Sequence, residues 1–160
     1  MTGSSARFPL WLIVLAGCLI AMTTFGPRST MGFFLTPMVN EYGWSRETFS
    51  LAIAIQNLMW GAGQPIFGAI ADRFGTARVL VMGAVFYIAG LAIMSVADTP
   101  LWLHVSAGVL VGLGVAASSF GIVLAAFGRS VTPEKRTIVF GFGTAAGSFG
   151  QFLFSPLTQA

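Results

Sequence analysis

Long apolar runs separated by short polar breaks are the feature that most constrains this chain. Each run is near or above the ~20 residues that an α-helix needs to cross the hydrocarbon core of a bilayer. Breaks this short join neighbouring helices in an antiparallel arrangement. The pattern predicts an all-α membrane protein with about five transmembrane helices. They are predicted at residues 8–39, 48–71, 79–97, 101–127 and 137–157.

Composition supports a membrane location. Of the 160 residues, 56% are hydrophobic and 8% are charged, so the chain has too little polar surface for a soluble domain. The formal net charge is only +3, and the basic residues form no face interleaved with aromatic ones. We therefore expect the lipid bilayer as a partner and no nucleic acid.

The charges between the predicted helices are distributed unequally. One side of the predicted membrane holds Arg7, Arg73, Arg78, Arg129, Lys135 and Arg136. The other side holds Arg46 with Glu41, Glu47 and Asp98. Because basic residues accumulate in cytoplasmic loops, this bias predicts a multi-pass protein of the cytoplasmic (inner) cell membrane with a cytoplasmic amino terminus.

The sequence offers no set of residues for catalysis or for a metal. With one cysteine and one histidine it has neither a disulfide framework nor a zinc site. It also lacks a nucleophile elbow, a phosphate-binding loop and paired carboxylates within a predicted helix. We expect no enzyme activity and no cofactor. His104 is a weak candidate for a proton relay.

Arg28 is a charged residue inside the first predicted helix, directly after Gly26 and Pro27. A charge inside a span costs about 3 kcal/mol on insertion scales unless water, a partner or a ligand solvates it. The predicted helices contain no acid that would pair with it. Pro27 loosens the helix beside the charge, as broken helices do at transporter sites. We predict that Arg28 binds a carboxylate. The alternative is that it extends to the outer interface.

The second predicted helix carries the amides Gln56, Asn57 and Gln64. Asn57 and Gln64 are separated by two helical turns and share a face. These residues are predicted to line the substrate path, and hydrogen bonding between helices is an equal alternative. On the fourth and fifth helices, Gly108 with Gly112 and Gly143 with Gly147 predict close packing.

The stretch GAIADRFGTARVL, residues 68–80, follows the second predicted helix. Gly68 is predicted to allow a close approach to a neighbouring helix, and Gly75 to permit the chain reversal. Asp72 can cap the third helix and complement its positive end. Arg73 and Arg78 are expected in the cytoplasmic headgroup region.

This stretch resembles the loop signature of the major facilitator superfamily, roughly GxLADRxGRKxxL. The chain matches it at Gly68, Asp72, Arg73, Gly75 and Leu80, and Arg78 stands one place after the usual basic pair. The resemblance implies a conformational gate between two six-helix halves that alternate between inward-facing and outward-facing states. In that gate Asp72 and Arg73 are latching residues, and Arg129 is an ionic partner.

A second resemblance narrows the group. Residues 25–68, FGPRSTMGFFLTPMVNEYGWSRETFSLAIAIQNLMWGAGQPIFG, are similar to the first two helices of monocarboxylate transporters and oxalate/formate antiporters. The segment EKRTIVFGFGTAAGSFGQFLFSPL is similar to their fifth helix. The resemblance implies transport of small mono- or dicarboxylates by alternating access, with protons or a counter-anion as further partners. Gly108 and Val111 depart from the RxxQGxG pattern of proton-driven branches, which disfavours a drug/proton antiporter.

Family members have about twelve helices, so we expect this chain to be the amino-terminal part, with the carboxyl-terminal half absent. Two alternatives to a carboxylate transporter are open. One is a permease of the same superfamily for a sugar, a drug or another metabolite. The other is a membrane assembly or scaffold subunit that does not transport.

Overall fold

In a computed structural model, residues 9–119, 121–123 and 133–159 are described, and their regular elements are all helical. The elements are α1 (Leu10–Thr30), a 3₁₀ turn (Met31–Phe34), α2 (Leu35–Tyr42), α3 (Arg46–Phe74), α4 (Thr76–Met94), α5 (Pro100–Leu103), a π-helical segment (His104–Leu110), α6 (Val111–Ala117) and α7 (Pro133–Gln159). The predicted all-α architecture is confirmed.

The first predicted helix is divided into α1, the 3₁₀ turn and α2. The hydroxyls of Ser29 and Thr30 donate to the carbonyl oxygens of Gly26 and Pro27, at 2.7 and 2.8 Å. The Met31 N–H bonds the carbonyl oxygen three residues before it, at Arg28. Because side-chain hydroxyls occupy the carbonyls of the last α-helical turn, the chain tightens into a 3₁₀ turn directly after Thr30.

Among the described residues, four helices are long and apolar enough to cross a membrane, namely Trp11–Tyr42, Thr76–Met94, Pro100–Val123 and Pro133–Thr158. Helix α3 has 29 residues, about 44 Å, which is also sufficient length. The polar side chains of Gln56, Asn57 and Gln64 interrupt its apolar run. The chain is thus a multi-pass bundle in which α3 contributes length and a polar face.

The fourth predicted helix, 101–127, contains α5, the π-helical segment and α6 in succession. It packs between α3 and α4. A Cβ added at Gly112 would lie 2.8 Å from the carbonyl oxygen of Gln56 on α3. One added at Gly114 would lie 2.8 Å from the backbone nitrogen of Tyr87 on α4. The close packing predicted for Gly108 and Gly112 is confirmed. Residues 124–127 lie outside the described part of the chain.

Helices α1 and α7 pack side by side. A Cβ added at Gly150 would lie 2.6 Å from the carbonyl oxygen of Met22, and one at Gly26 would meet the ring of Phe154. Residue numbers rise together along both helices at these contacts, so α1 and α7 run in the same direction. Gly143 and Gly147 on α7 are also buried.

Replacing Gly150 with alanine is expected to lower the free energy of unfolding by about 1–3 kcal/mol, because the added methyl group meets backbone that does not yield. Gly141→Ala is the matched control on the same helix, since a Cβ there has no described atom within 4 Å. At that open position alanine gains about 0.5–1 kcal/mol of helix propensity. Denaturation of the purified protein in mixed micelles measures both. Equal effects at the two positions would contradict the packing of α1 on α7.

Candidate functional site

The Arg28 guanidinium crosses from α1 to α3. Its Nε donates to Oε1 of Gln56 at 3.1 Å, and its Nη2 donates to Oδ1 of Asn57. The guanidinium carbon also lies 4.7 Å from the centroid of the Trp60 ring. The structure therefore brings together Arg28, Gln56 and Asn57, which are three of the four residues predicted to bind substrate.

The depth of this contact follows from the length of α3. Trp60 is the middle residue of Arg46–Phe74, and the two amides lie within one turn of it. The guanidinium therefore meets α3 near its centre. A side chain that extended to the end of the bundle would lie away from Trp60, so that alternative does not fit the geometry.

Gln56 connects three segments. The side chain is 1% exposed, and its Nε2 donates to the carbonyl oxygen of Ala107 in the π-helical segment at 2.8 Å. The same Nε2 lies 3.2 Å from the Met31 sulfur. Since the amide nitrogen is committed to a carbonyl, the amide oxygen must face Arg28. Gln56 contacts the cation and backbone here and does not face open space.

Asn57 and Gln64 are both exposed, on the same face of α3. Asn57 also donates from Nδ2 to the carbonyl oxygen of Ile53 at 2.8 Å, which fixes its oxygen toward Arg28. Gln64, two turns farther along, lines a separate cavity of about 150 Å³ with Gly68, Asp72 and Ser119. Gln64 is therefore at a different level of the bundle from the guanidinium.

Both hydrogen-bond partners of Arg28 are neutral. The five acidic residues of the chain lie in terminal turns or connections of the helices: Glu41, Glu47, Asp72, Asp98 and Glu134. Of the five N–H groups of a guanidinium, two donate to the amides among the residues that the structure describes. The remaining N–H groups are suited to a bidentate contact with a carboxylate. No metal-binding group of three ligands occurs in the described ranges.

Aromatic side chains surround the cation, and the sequence alone predicted no contact of any of them with Arg28. The Trp60 ring contacts the guanidinium on its face, and the Phe25 ring meets Trp60 edge-on with centroids 6.1 Å apart. Trp60 follows Gln56 and Asn57 by about one helical turn, and this spacing was the sequence feature that indicated a position beside the two amides. Tyr87 donates to the carbonyl oxygen of Thr24 at 3.2 Å, and no local pattern predicts that contact across 63 residues.

The loop signature forms the tight reversal between α3 and α4. Gly75 is the single residue between the two helices, and its φ of +95° is in the region that favours glycine. The role predicted for Gly75 is confirmed. Asp72 lies in the last turn of α3, and Gly75 occupies the N-cap position of α4. Asp72, Arg73 and Arg78 are exposed, as expected for residues at the end of the bundle.

The close approach predicted at Gly68 is not seen among the described residues: outside the adjacent part of its own helix, none has an atom within 4 Å of a Cβ added there. The close approach of α3 occurs instead at Gly63, where a Cβ would lie 2.7 Å from that of Ala116. The reason is that Gly63 faces the fourth helix, whereas Gly68 borders the small cavity with Gln64. Arg129 lies outside the described residues.

His104 at the start of the π-helical segment contacts backbone. Its Nε2 lies 3.0 Å from the carbonyl oxygen of Thr48, near the beginning of α3. This contact joins the fourth helix to α3 at one end of the bundle, at a distance from Gln56 of two helical turns along α3. A packing role accounts for the residue.

Comparison with known proteins identifies the family of this chain. A model described as Major Facilitator Superfamily matches residues 13–160. The chain is 26% identical, over 93% of its length, to an MFS-type transporter, pynF, of Aspergillus niger, of which it covers 34%. It is also 26% identical, over 93% of its length, to Monocarboxylate transporter 13 of Rattus norvegicus, again covering 34%.

A third relative matches a shorter region more closely. Multidrug resistance protein MdtH of Yersinia enterocolitica is 40% identical over 91 residues, which are 52% of this chain and 22% of that protein. The chain spans about a third of the length of the first two relatives. With the family match over nearly the whole sequence and a bundle of long apolar helices, the chain belongs to the major facilitator superfamily of transporters.

Proposed function

We propose that this chain forms part of a transporter for small organic anions, monocarboxylates or dicarboxylates, that works by alternating access. The observation that carries the proposal is the Arg28 guanidinium at the middle of α3, held by two neutral amides. Its charge is available to a ligand, and N–H groups remain for a carboxylate.

The surroundings of Arg28 favour binding of an anion. Gln56 and Trp60 fix the guanidinium before a ligand arrives, so less side-chain entropy is lost on binding. Asn57 is exposed beside it and has its own donor committed to backbone. A carboxylate that approaches the outer edge of the guanidinium gains charge-assisted hydrogen bonds that a neutral solute lacks.

The proposed gate is the reversal between α3 and α4. Gly68, Asp72, Arg73, Gly75 and Arg78 would move as one end of the bundle, with Arg129 as the ionic partner of Asp72. Following the charge bias, we assign this end and the amino terminus to the cytoplasmic side of the inner membrane. Protons or a counter-anion are the proposed coupling partners.

A second candidate function is a permease for apolar solutes. It is favoured by a cavity of about 420 Å³ between α1 and α4, lined mainly by apolar side chains such as Ile20, Leu80 and Ile88. The name of the Yersinia relative agrees with that alternative. The two candidates differ in the ligand charge that they require.

Uptake into vesicles that contain the full-length gene product tests the proposal. Labelled lactate, oxalate and succinate are compared with a labelled neutral sugar and a lipophilic cation. Saturable uptake of a carboxylate, competed by other carboxylates and not by the sugar, is the expected result. Uptake of the lipophilic cation alone would favour the second candidate, and uptake of none of the solutes would favour a scaffold.

A further inference from the structure

Helix α7 has a polar stripe that belongs to none of the sites described above. Thr144, Ser148 and Gln151 are spaced by four and three residues, so they lie on one face. All three are exposed, and together with Phe25 and Gly147 they line a cavity of about 170 Å³ between α1 and α7. The stripe and this cavity require a function.

The hydrogen-bonding capacity of the stripe is largely unused. Thr144 donates to the carbonyl oxygen of Phe140 at 2.9 Å, which leaves its oxygen free to accept. The Ser148 hydroxyl and the Gln151 amide have no hydrogen-bond partner within the described ranges. Inside a bilayer such groups are costly against lipid, so they are expected to face water, protein or a ligand.

Large apolar side chains are exposed in a different sector of α7. The large exposed apolar side chains Ile138, Phe142 and Phe149 lie roughly a third of a turn from the stripe, at 100° per residue. The opposite sector, with Gly143, Gly147 and Gly150, is buried. The stripe therefore lies between the exposed apolar side and the side packed on α1.

One end of the stripe, at Gln151, is close to the level of the Arg28 site. Because Met22 and Gly26 pack against Gly150 and Phe154, Gln151 lies level with residue 23, about 7.5 Å along the axis from Arg28. The two helices run in the same direction and their side chains lean the same way, so this offset is unchanged, and Ser148 and Thr144 lie farther from Arg28, about 12 and 18 Å along the axis. Phe25 lies beside both the Arg28 site and the cavity of the stripe, since its ring contacts Trp60 and lines that cavity.

We infer that Ser148 and Gln151, at the end of the stripe nearer Arg28, form a second subsite for the far end of the substrate, beyond Phe25. This inference rests on the proposed function of Arg28. The substrate class is then a carboxylate with a second oxygen-bearing group, a hydroxyl, keto or second carboxyl group, on a chain of four or five carbons. Its first carboxylate contacts Arg28, its apolar middle passes Phe25, and its far oxygens accept from Ser148 and Gln151.

Three four-carbon probes test this subsite: butyrate, 4-hydroxybutyrate and succinate. Uptake into vesicles with the full-length gene product is compared with uptake by the double variant Ser148→Ala/Gln151→Leu. We expect KM for 4-hydroxybutyrate and succinate to rise about tenfold, as for the loss of one or two neutral hydrogen bonds. KM for butyrate, which has no far oxygen, is expected to stay within twofold and also reports correct folding.

The matched control is Ser155→Ala/Thr158→Val on the same helix. Both hydroxyls donate to carbonyls four residues earlier, at 2.9 and 2.7 Å, and neither lines the cavity. The control is expected to leave all three KM values unchanged. Equal changes for the three probes in Ser148→Ala/Gln151→Leu, or no change, would overturn the subsite.

The variant Arg28→Ala tests the proposed anion site separately from the α7 subsite. If Arg28→Ala leaves butyrate uptake unchanged, the proposed anion site is wrong, whereas selective loss of the difunctional probes in Ser148→Ala/Gln151→Leu still supports the α7 subsite. If the unmodified protein takes up none of the three probes, the proposed function and the subsite are both wrong.

Discussion

Arg28→Ala is expected to lower kcat/KM for carboxylate uptake by about a hundredfold or more, because charge-assisted hydrogen bonds of about 1.5–3 kcal/mol are lost together with the cation itself. Arg28→Lys keeps the charge but not the planar fork that holds Gln56 and Asn57 while lying on Trp60. We expect it to lose about tenfold, since a point charge retains attraction without bidentate geometry. Initial rates of labelled uptake measure both variants.

The control for this prediction is Arg46→Ala, which removes an exposed arginine at the first residue of α3. Its uptake is expected to match that of the unmodified protein. Protein amount in the membrane should not fall in Arg28→Ala, because removing a charge from a membrane helix lowers the cost of insertion. Comparable loss of uptake in both variants would contradict a specific role for Arg28.

Gln56→Glu is expected to raise KM for carboxylates by about a hundredfold. The substitution is nearly isosteric, but it replaces the neutral oxygen 3.1 Å from Arg28 with a carboxylate. The resulting ion pair neutralises the cation, so a substrate carboxylate is no longer attracted. The second oxygen would also face the carbonyl of Ala107, which now accepts from the Gln56 amide at 2.8 Å, and two acceptors repel each other.

Gln56→Met removes the hydrogen bonds of the Gln56 amide without introducing a charge. It has similar volume and no charge, so Arg28 stays cationic while its Nε and the Ala107 carbonyl lose a partner. We expect KM to rise about tenfold and the free energy of unfolding to fall by about 1–3 kcal/mol, the cost of unpaired buried polar groups. Kinetics and denaturation of purified protein measure these. Equal KM values for the two variants would show that the introduced charge is irrelevant.

The helices and the loop signature were predictable because their causes are local. Apolar runs of bilayer length predict α4 and α7 to within a few residues, since backbone groups in lipid must be satisfied inside the helix. Gly75 was predictable because a reversal between two helices needs a backbone conformation that glycine adopts readily. The division of the first helix after Thr30 was not predicted, because it depends on which carbonyls the hydroxyls of Ser29 and Thr30 occupy.

Side-chain contacts between helices were harder to predict from the sequence. The sequence indicated Arg28 as the anion-binding residue and Gln56, Asn57 and Gln64 as polar residues near it, but it did not distinguish among the three amides. Their different surroundings depend on the rotation of α3: Gln56 faces the fourth helix, Asn57 faces Arg28, and Gln64 borders another cavity. The same rotation brings Gly63, and not Gly68, against its neighbour.

By itself, the sequence determined that the chain is a helical membrane bundle of this superfamily, with one cation inside a span and no acid there to neutralise it. Hydrophobic length, glycine at a reversal and the charges of residue types are properties that need no tertiary contact. Only the tertiary structure decided that the cation meets α3 at its middle, on Trp60 and between two neutral amides. That outcome depends on the packing of α1 and the fourth helix around α3, which sets distances between residues far apart in the chain.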